Sequence, residues 1–220
     1  MSLVLDRLPA SLELVVTCLA FSVLVSIPLG VLSAVNRGRW LDQLTLSGSL
    51  IGISAPPFWV GIMLIFVFAV HWQVLPSSGR GTWMHLILPA FSLSLRRIAL
   101  FVRLIRSGML DILSQDFIRT ARAKGLSERA VIYKHALKNT LIPFTTIAGL
   151  QMGSLLVGAI VTERIFAWPG MGRLILDAIY KLDYPVVIAY AIVTAIMFVI
   201  INFVVDITYS LLDPRVRYES

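Results

Sequence analysis

The chain has 220 residues, 58% of them hydrophobic and only 14% charged, with a mean hydropathy of +0.86. A water-soluble domain of this size carries about a quarter charged residues, so composition excludes an ordinary soluble globule and points to an all-α chain that crosses a membrane several times. The formal net charge is +7, and the one cysteine, Cys18, excludes an intrachain disulfide.

A helix that crosses a bilayer needs about 20 mostly apolar residues, because lipid offers its backbone no hydrogen-bond partner. Residues 14–36 carry no charge, and a first span is expected near 12–35. A second is expected near 44–70. Pro56 and Pro57 interrupt it, as a packing kink or as an unwound site of the kind carriers use. The third, near 86–106, holds Arg96 and Arg97 close to its middle. Charge at that depth is costly unless it faces protein or water. Either the helix starts earlier, near Trp83, or the two arginines line an aqueous path. Two further clean spans are expected near 143–162 and 185–206, giving a polytopic bundle of about five helices.

Charge sets the orientation, because Lys and Arg collect in cytoplasmic loops. Arg37, Arg39, the eight basic residues from Arg103 to Lys138, and Arg215 and Arg217 fall on one side, 12 in all. Arg7, Arg80, Arg164, Arg173 and Lys181 make 5 on the other. The bias accounts for the net charge without nucleic acid. It places the N-terminus outside, although MSLVLDRLPAS lacks the positive start of a signal peptide. One preceding span would repair this, so a chain shortened at its N-terminus is expected.

The segment 108–141 interrupts the apolar pattern. Leu110, Leu113, Phe117 and Ala121 share one helical face. Gly125 suits the left-handed end of that helix, and Ser127 suits the N-cap of the next. There Ala130, Tyr133, Leu137 and Leu141 form the apolar side, and Pro143 marks the return to the membrane. A helix–Gly–helix unit of this kind fits a headgroup-bound helix, a solvated loop or a docking element, and periodicity leaves all three open.

On the outer side Glu163 is followed by Trp168, Pro169, Gly170, Met171 and Gly172, a turn-rich run. A short interfacial helix is expected over Leu174, Ile175, Ala178 and Ile179, before Asp183 and Pro185. Glu163, Pro169, Gly170, Gly172 and Asp183 are candidates for an outer gate or a receiving surface. The alternative is a loop anchored by Trp168, Tyr180 and Tyr184 at the aromatic belt. Arg96, Arg97, Gln151 and Ser154 are candidates for a solute path, though small polar residues in spans often join helices. His71, His85 and His135 show no metal-ligand spacing, and no metal site is expected. No nucleophile–base set is apparent, so no catalytic residue is assigned. The chain has no G-x-x-x-x-G-K-[ST] phosphate loop and no Gly-Lys pair, so any ATP chemistry belongs to another subunit.

Several stretches together resemble one family. RTARAKGLSERAVIYKHALKNTLIP, SGMLDILSQDFIRTARAKGL, TERIFAWPGMGRLILDAIYKLDYPVV, NFVVDITYSLLDPRVR, LPASLEL and GISAPPFW are all similar to permeases of binding-protein-dependent ABC importers, in the dipeptide/oligopeptide/nickel branch. The resemblance covers essentially the whole chain as a single permease domain, 1–220. It implies a multi-pass protein of a prokaryotic inner membrane that forms half of a pore for peptides or related solutes, nickel included. The implied partners are a second homologous permease, two ABC ATPase subunits that bind ATP and Mg, and an external solute-binding protein. Carried over onto this sequence, the ATPase-coupling residues are Arg119, Thr120, Ala121, Lys124, Gly125 and Leu126. Arg119 stands where the family's Glu-Ala-Ala…Gly pattern has its glutamate, and Gly125 to Pro143 is longer than the general pattern, which puts a specific glutamate contact in doubt. An ion-coupled carrier or a channel would be the alternative, but such a carrier would call for acidic coupling residues inside a span, and none lies well inside one. An intramembrane enzyme would lack its nucleophile and base.

Overall fold

A computed structural model describes residues 1–212, all in helices and the turns between them, with no strand among the described residues. Arg215 and Arg217 of the expected cytoplasmic tail lie outside them. Four helices are long and apolar enough to cross a membrane. They are α1 (Ser2–Val35), α4 (Met84–Leu113), the run from α6 (Glu128–Ala130) through α7 (Lys138–Ile165), and α9 (Tyr184–Leu212). The first starts ten residues before its expected boundary and carries Pro9 and Pro28 within it. The start of α4 at Met84 realises the earlier start near Trp83, and it still leaves Arg96 and Arg97 mid-helix.

The second expected span is not a straight crossing. α2 (Trp40–Ser54) and α3 (Pro57–Leu64), the latter continuing as a π-helical stretch Ile65–His71, are bent by 100° to each other. Ala55 and Pro56 are extended between them. Pro57 pushes Pro56 out of the helical region and itself fits the first helical turn, so the Pro-Pro pair ends one helix and starts another. Counted as one broken span, the pair makes the fifth crossing.

The core runs the length of the bundle. Leu14, Val15 and Cys18 of α1 meet Ala90 and Leu93 of α4, Leu155 and Ala159 of α7, and Trp168. Toward the cytoplasm Val31, Phe101, Ile105, Met109 and Phe144 form a second cluster. Helices approach closely at small residues, as membrane packing favours. A Cβ on Gly30 would come within 2.8 Å of Ile105, and one on Gly149 would overlap Val205 at 2.5 Å.

At the cytoplasmic end α2 is tied to α4 by an ion pair, and α1 joins it through a hydroxyl. Asp42, 2% exposed, accepts bonds from Ser33 Oγ (2.6 Å), the Gly38 amide (2.8 Å), and Nε and Nη2 of Arg106 (2.6 and 2.8 Å). Buried carboxylates persist only when paired and hydrogen-bonded in this way. No sequence signal marked this group, because Asp42 and Arg106 are 64 residues apart.

Candidate functional site

Two turns project from opposite ends of the bundle, and each holds candidate residues. On the cytoplasmic side α4 stops at Leu113, and α5 (Asp116–Ala123) starts anew after Gln115. The break re-phases the helix. Its buried face is Ile118 and Ala121, and Phe117, expected on that face, is 41% exposed.

Gly125 ends α5 with φ +79°, the left-handed region where a side chain would be strained. The Leu126 amide reaches back to the Ala121 carbonyl at 3.4 Å, the six-residue closure of a Schellman-type cap. Ser127 then caps the next helix by accepting the Ala130 amide at 3.4 Å. Arg122 straddles the turn, donating from Nε to Glu128 at 2.7 Å.

Beyond Ser127 the expected apolar face is also displaced. Val131–Leu137 is π-helical, so buried positions fall at Val131, Ala136 and Thr140, five and then four residues apart. Tyr133, expected inside, is 54% exposed. A wider turn adds residues to the repeat and rotates every later side chain, which a 3.6-residue periodicity cannot foresee. Pro143 does not begin a new helix but lies inside α7.

Ile118, Ala121, Val131 and Ala136 join the core cluster of Val31, Ile105 and Phe144. The turn is therefore fastened from below to α1, α4 and α7. Of the candidate coupling residues, Ala121 belongs to that fastening. Arg119, Thr120, Lys124, Gly125 and Leu126 are exposed, and with Phe117 and Tyr133 they form a mixed basic and apolar surface.

The outer turn is built differently. Glu163, 1% exposed, accepts a bond from Ser11 Oγ (2.6 Å) and from the amides of Gly172 (2.7 Å) and Arg173 (3.1 Å). It caps the amide-bearing start of α8 (Met171–Tyr180), where negative charge is favourable. Ser11 Oγ also receives the Met171 amide at 2.7 Å, and Trp168 Nε1 donates to the Ala10 carbonyl at 2.8 Å. The room taken by the Glu163 carboxyl is why residue 170 is glycine: a Cβ there would overlap it.

Trp168 is fully buried and not an interfacial anchor, whereas Tyr180 and Tyr184 are exposed as expected. Glu163, Gly170 and Gly172 are buried and hold the loop. Pro169 is half-buried. Asp183 is exposed and accepts the Val186 amide at 3.3 Å at the start of α9. Ser11 was missed by sequence reading, since its partners are 152 and 160 residues away.

Of the solute-path candidates the structure gathers three. Arg97 Nη2 donates to Ser154 Oγ at 3.1 Å, and that hydroxyl donates toward the main-chain and side-chain oxygens of Gln151 at 2.9 and 3.1 Å. Arg96 points away and is exposed.

Residues 26–218 match the family of binding-protein-dependent transport system inner membrane components. The chain is 42% identical to the dipeptide transport system permease protein DppB of Escherichia coli K12, covering 97% of this chain and 72% of that protein. It is also 42% identical to the glutathione transport system permease protein GsiC of the same strain, over 97% and 70% of the two chains. Among solved structures, a chain of the MetNI methionine ABC transporter, in inward-facing conformations, superposes with a TM-score of 0.80 over 97% of both chains at 19% identity. A chain of an amino acid ABC transporter gives 0.68 at 13% identity, over 94% of this chain and 93% of that one. These two show a shared fold.

Proposed function

Because the chain belongs to the family of binding-protein-dependent transport inner membrane components, we propose that it is the peptide-carrying permease of an ATP-driven importer and that its Lys124–Leu126 turn is where ATP hydrolysis acts on it. The observation that carries this reading is the one-sided burial of the cytoplasmic unit. Ile118, Ala121, Val131 and Ala136 are inside, while Lys124, Gly125 and Leu126 are outside. An element with an exposed tip and a buried root transmits displacement of the tip to α1, α4 and α7 as a body, since packed interiors do not yield continuously.

The partner at the tip is an ABC ATPase subunit, which would bind ATP and Mg. Two such subunits beneath two permeases, and an external binding protein above, complete the importer. The second permease is a homologue or another copy of this chain. Phe117, Leu126 and Tyr133 would supply apolar contact to the ATPase, and Arg119 and Lys124 charge. Thr120 donates its hydroxyl to the Asp116 carbonyl at 3.0 Å and so supports α5 itself.

The peptide class rests on the identity to the dipeptide and glutathione permeases. Expressed with its partners in vesicles, the complex should take up radiolabelled dipeptide only when ATP and binding protein are both present. Uptake driven by an ion gradient without any ATPase would replace this reading with an ion-coupled carrier.

A further inference from the structure

The exposed residues of α4 do not look like a lipid-facing surface. From the middle of the helix they run Arg96, Leu100, Arg103, Ser107 and, at the cytoplasmic end, Asp111, a four–three–four–four spacing that keeps them on one face. Arg96 and Arg103 are separated by seven residues, roughly 10 Å of axial rise. Neither has a carboxylate partner among the described residues. Two unpaired guanidinium groups along one face of a membrane-spanning helix demand water or protein against them.

The face is also concave. A cleft of about 510 Å³ lies between α2, α4 and α7, lined by Leu46, Leu100, Arg103, Arg106, Ser107 and Ile147. Arg106 is already committed to Asp42, so Arg103 is the uncommitted charge in the cleft. Further toward the outside, on the neighbouring face of α4, Arg97 meets α7 at Ser154. Its Nε is buried without a partner, and its one bonded neighbour is a neutral hydroxyl. Thus Arg96, Arg97 and Arg103 present positive charge from adjoining faces of α4, and among the described residues none of them is ion-paired; the acid nearest in the helix, Asp111, lies eight residues below Arg103 at the cytoplasmic end.

We infer that this face of α4 is a wall of the solute path and that Arg96, Arg97 and Arg103 are its specificity-determining residues, successive contacts for a carboxylate of the passing solute. The chemistry is that of a short peptide's C-terminal carboxylate, which a guanidinium fork recognises in bidentate fashion. The inference rests on the peptide reading above and adds which end of the peptide the path reads. Three spaced arginines would hold the group in turn without trapping it, as conduction through a path requires. Leu100, between Arg96 and Arg103, would give the apolar side chains of diverse peptides a surface without choosing among them.

The test uses the assembled importer in vesicles that enclose ATP, with binding protein outside and with alanyl-alanine and its C-terminal amide as probes. The binding protein's own preference is the same for every variant, so it cancels when acid-to-amide uptake ratios are compared between variants. The Arg96→Gln, Arg103→Gln double variant should lower that ratio roughly tenfold, the size expected when charge-assisted hydrogen bonds are lost. Both residues are exposed, so folding is not at stake. In a second arm, Leu100→Cys and Ser107→Cys should react with a permanently charged methanethiosulfonate, while the parent, whose Cys18 is buried, should not. An unchanged ratio with active uptake overturns the inference. So does an introduced thiol, at either position, that stays closed to the reagent during transport, which would mean a partner or lipid covers the face. A wild-type complex that carries neither probe overturns the peptide reading itself.

Discussion

The cytoplasmic turn at Gly125 and the outer turn at Pro169 and Gly170 both join helices that pack into the same bundle, yet they are held by opposite means. The outer turn is closed by buried polar groups: the Glu163 carboxylate and the Trp168 indole reach across to the Ser11 hydroxyl and the Ala10 carbonyl of α1, and both side chains are almost without solvent contact. The inner turn has no such lock. Its polar groups serve only their own turn, as with Arg122 and Glu128, and its attachment to the bundle is apolar and confined to one side. A buried hydrogen-bond network fixes a unique geometry, whereas an exposed tip on a packed root leaves a surface for another protein.

The contrast can be broken by substitution, and the largest effect is expected outside. Glu163→Ala strands the Ser11 hydroxyl and the amides of Gly172 and Arg173 in a buried site, a loss of about 3 kcal/mol. Thermal unfolding of the purified protein in detergent should show it as a clear drop in midpoint. Gly170→Ala forces a methyl into the space of the Glu163 carboxyl and should cost about 2 kcal/mol in the same assay, in the range for overpacking. Trp168→Phe keeps most of the ring packing but loses the bond to Ala10, so about 1 kcal/mol is expected. At the inner turn, Gly125→Ala meets no neighbouring atom and pays only for its left-handed backbone, about 1 kcal/mol. Equal sensitivity of the two turns to these changes would erase the distinction between them.

How far the sequence foretold this varies with the kind of information needed. Spans 1, 3, 4 and 5 were legible because apolar length is written locally. The Gly125 end and the Ser127 cap were legible because each depends on one residue and its near neighbours. The Pro56-Pro57 break was visible, but its 100° bend was not, since proline ends a helix without fixing the direction of the next. Phe117 and Tyr133 were placed on the wrong faces for separate reasons. A restart at Gln115 re-phased the first helix, and a π-helical turn re-phased the second. Ser11, Asp42 and the burial of Trp168 were out of reach, because their partners are brought together only by tertiary packing.

The most direct measurement concerns the tip itself. Leu126→Asp changes an exposed side chain and should shift stability by no more than about 0.5 kcal/mol. The importer carrying it should be purified through the permease, with the amount of ATPase retained and its ATP-driven dipeptide uptake measured beside wild type. The expected result is an unchanged melting midpoint together with loss of most of the ATPase and of uptake. A permease that melts as wild type, keeps its full share of ATPase and transports at the wild-type rate would contradict the assignment of the Lys124–Leu126 turn as the coupling surface.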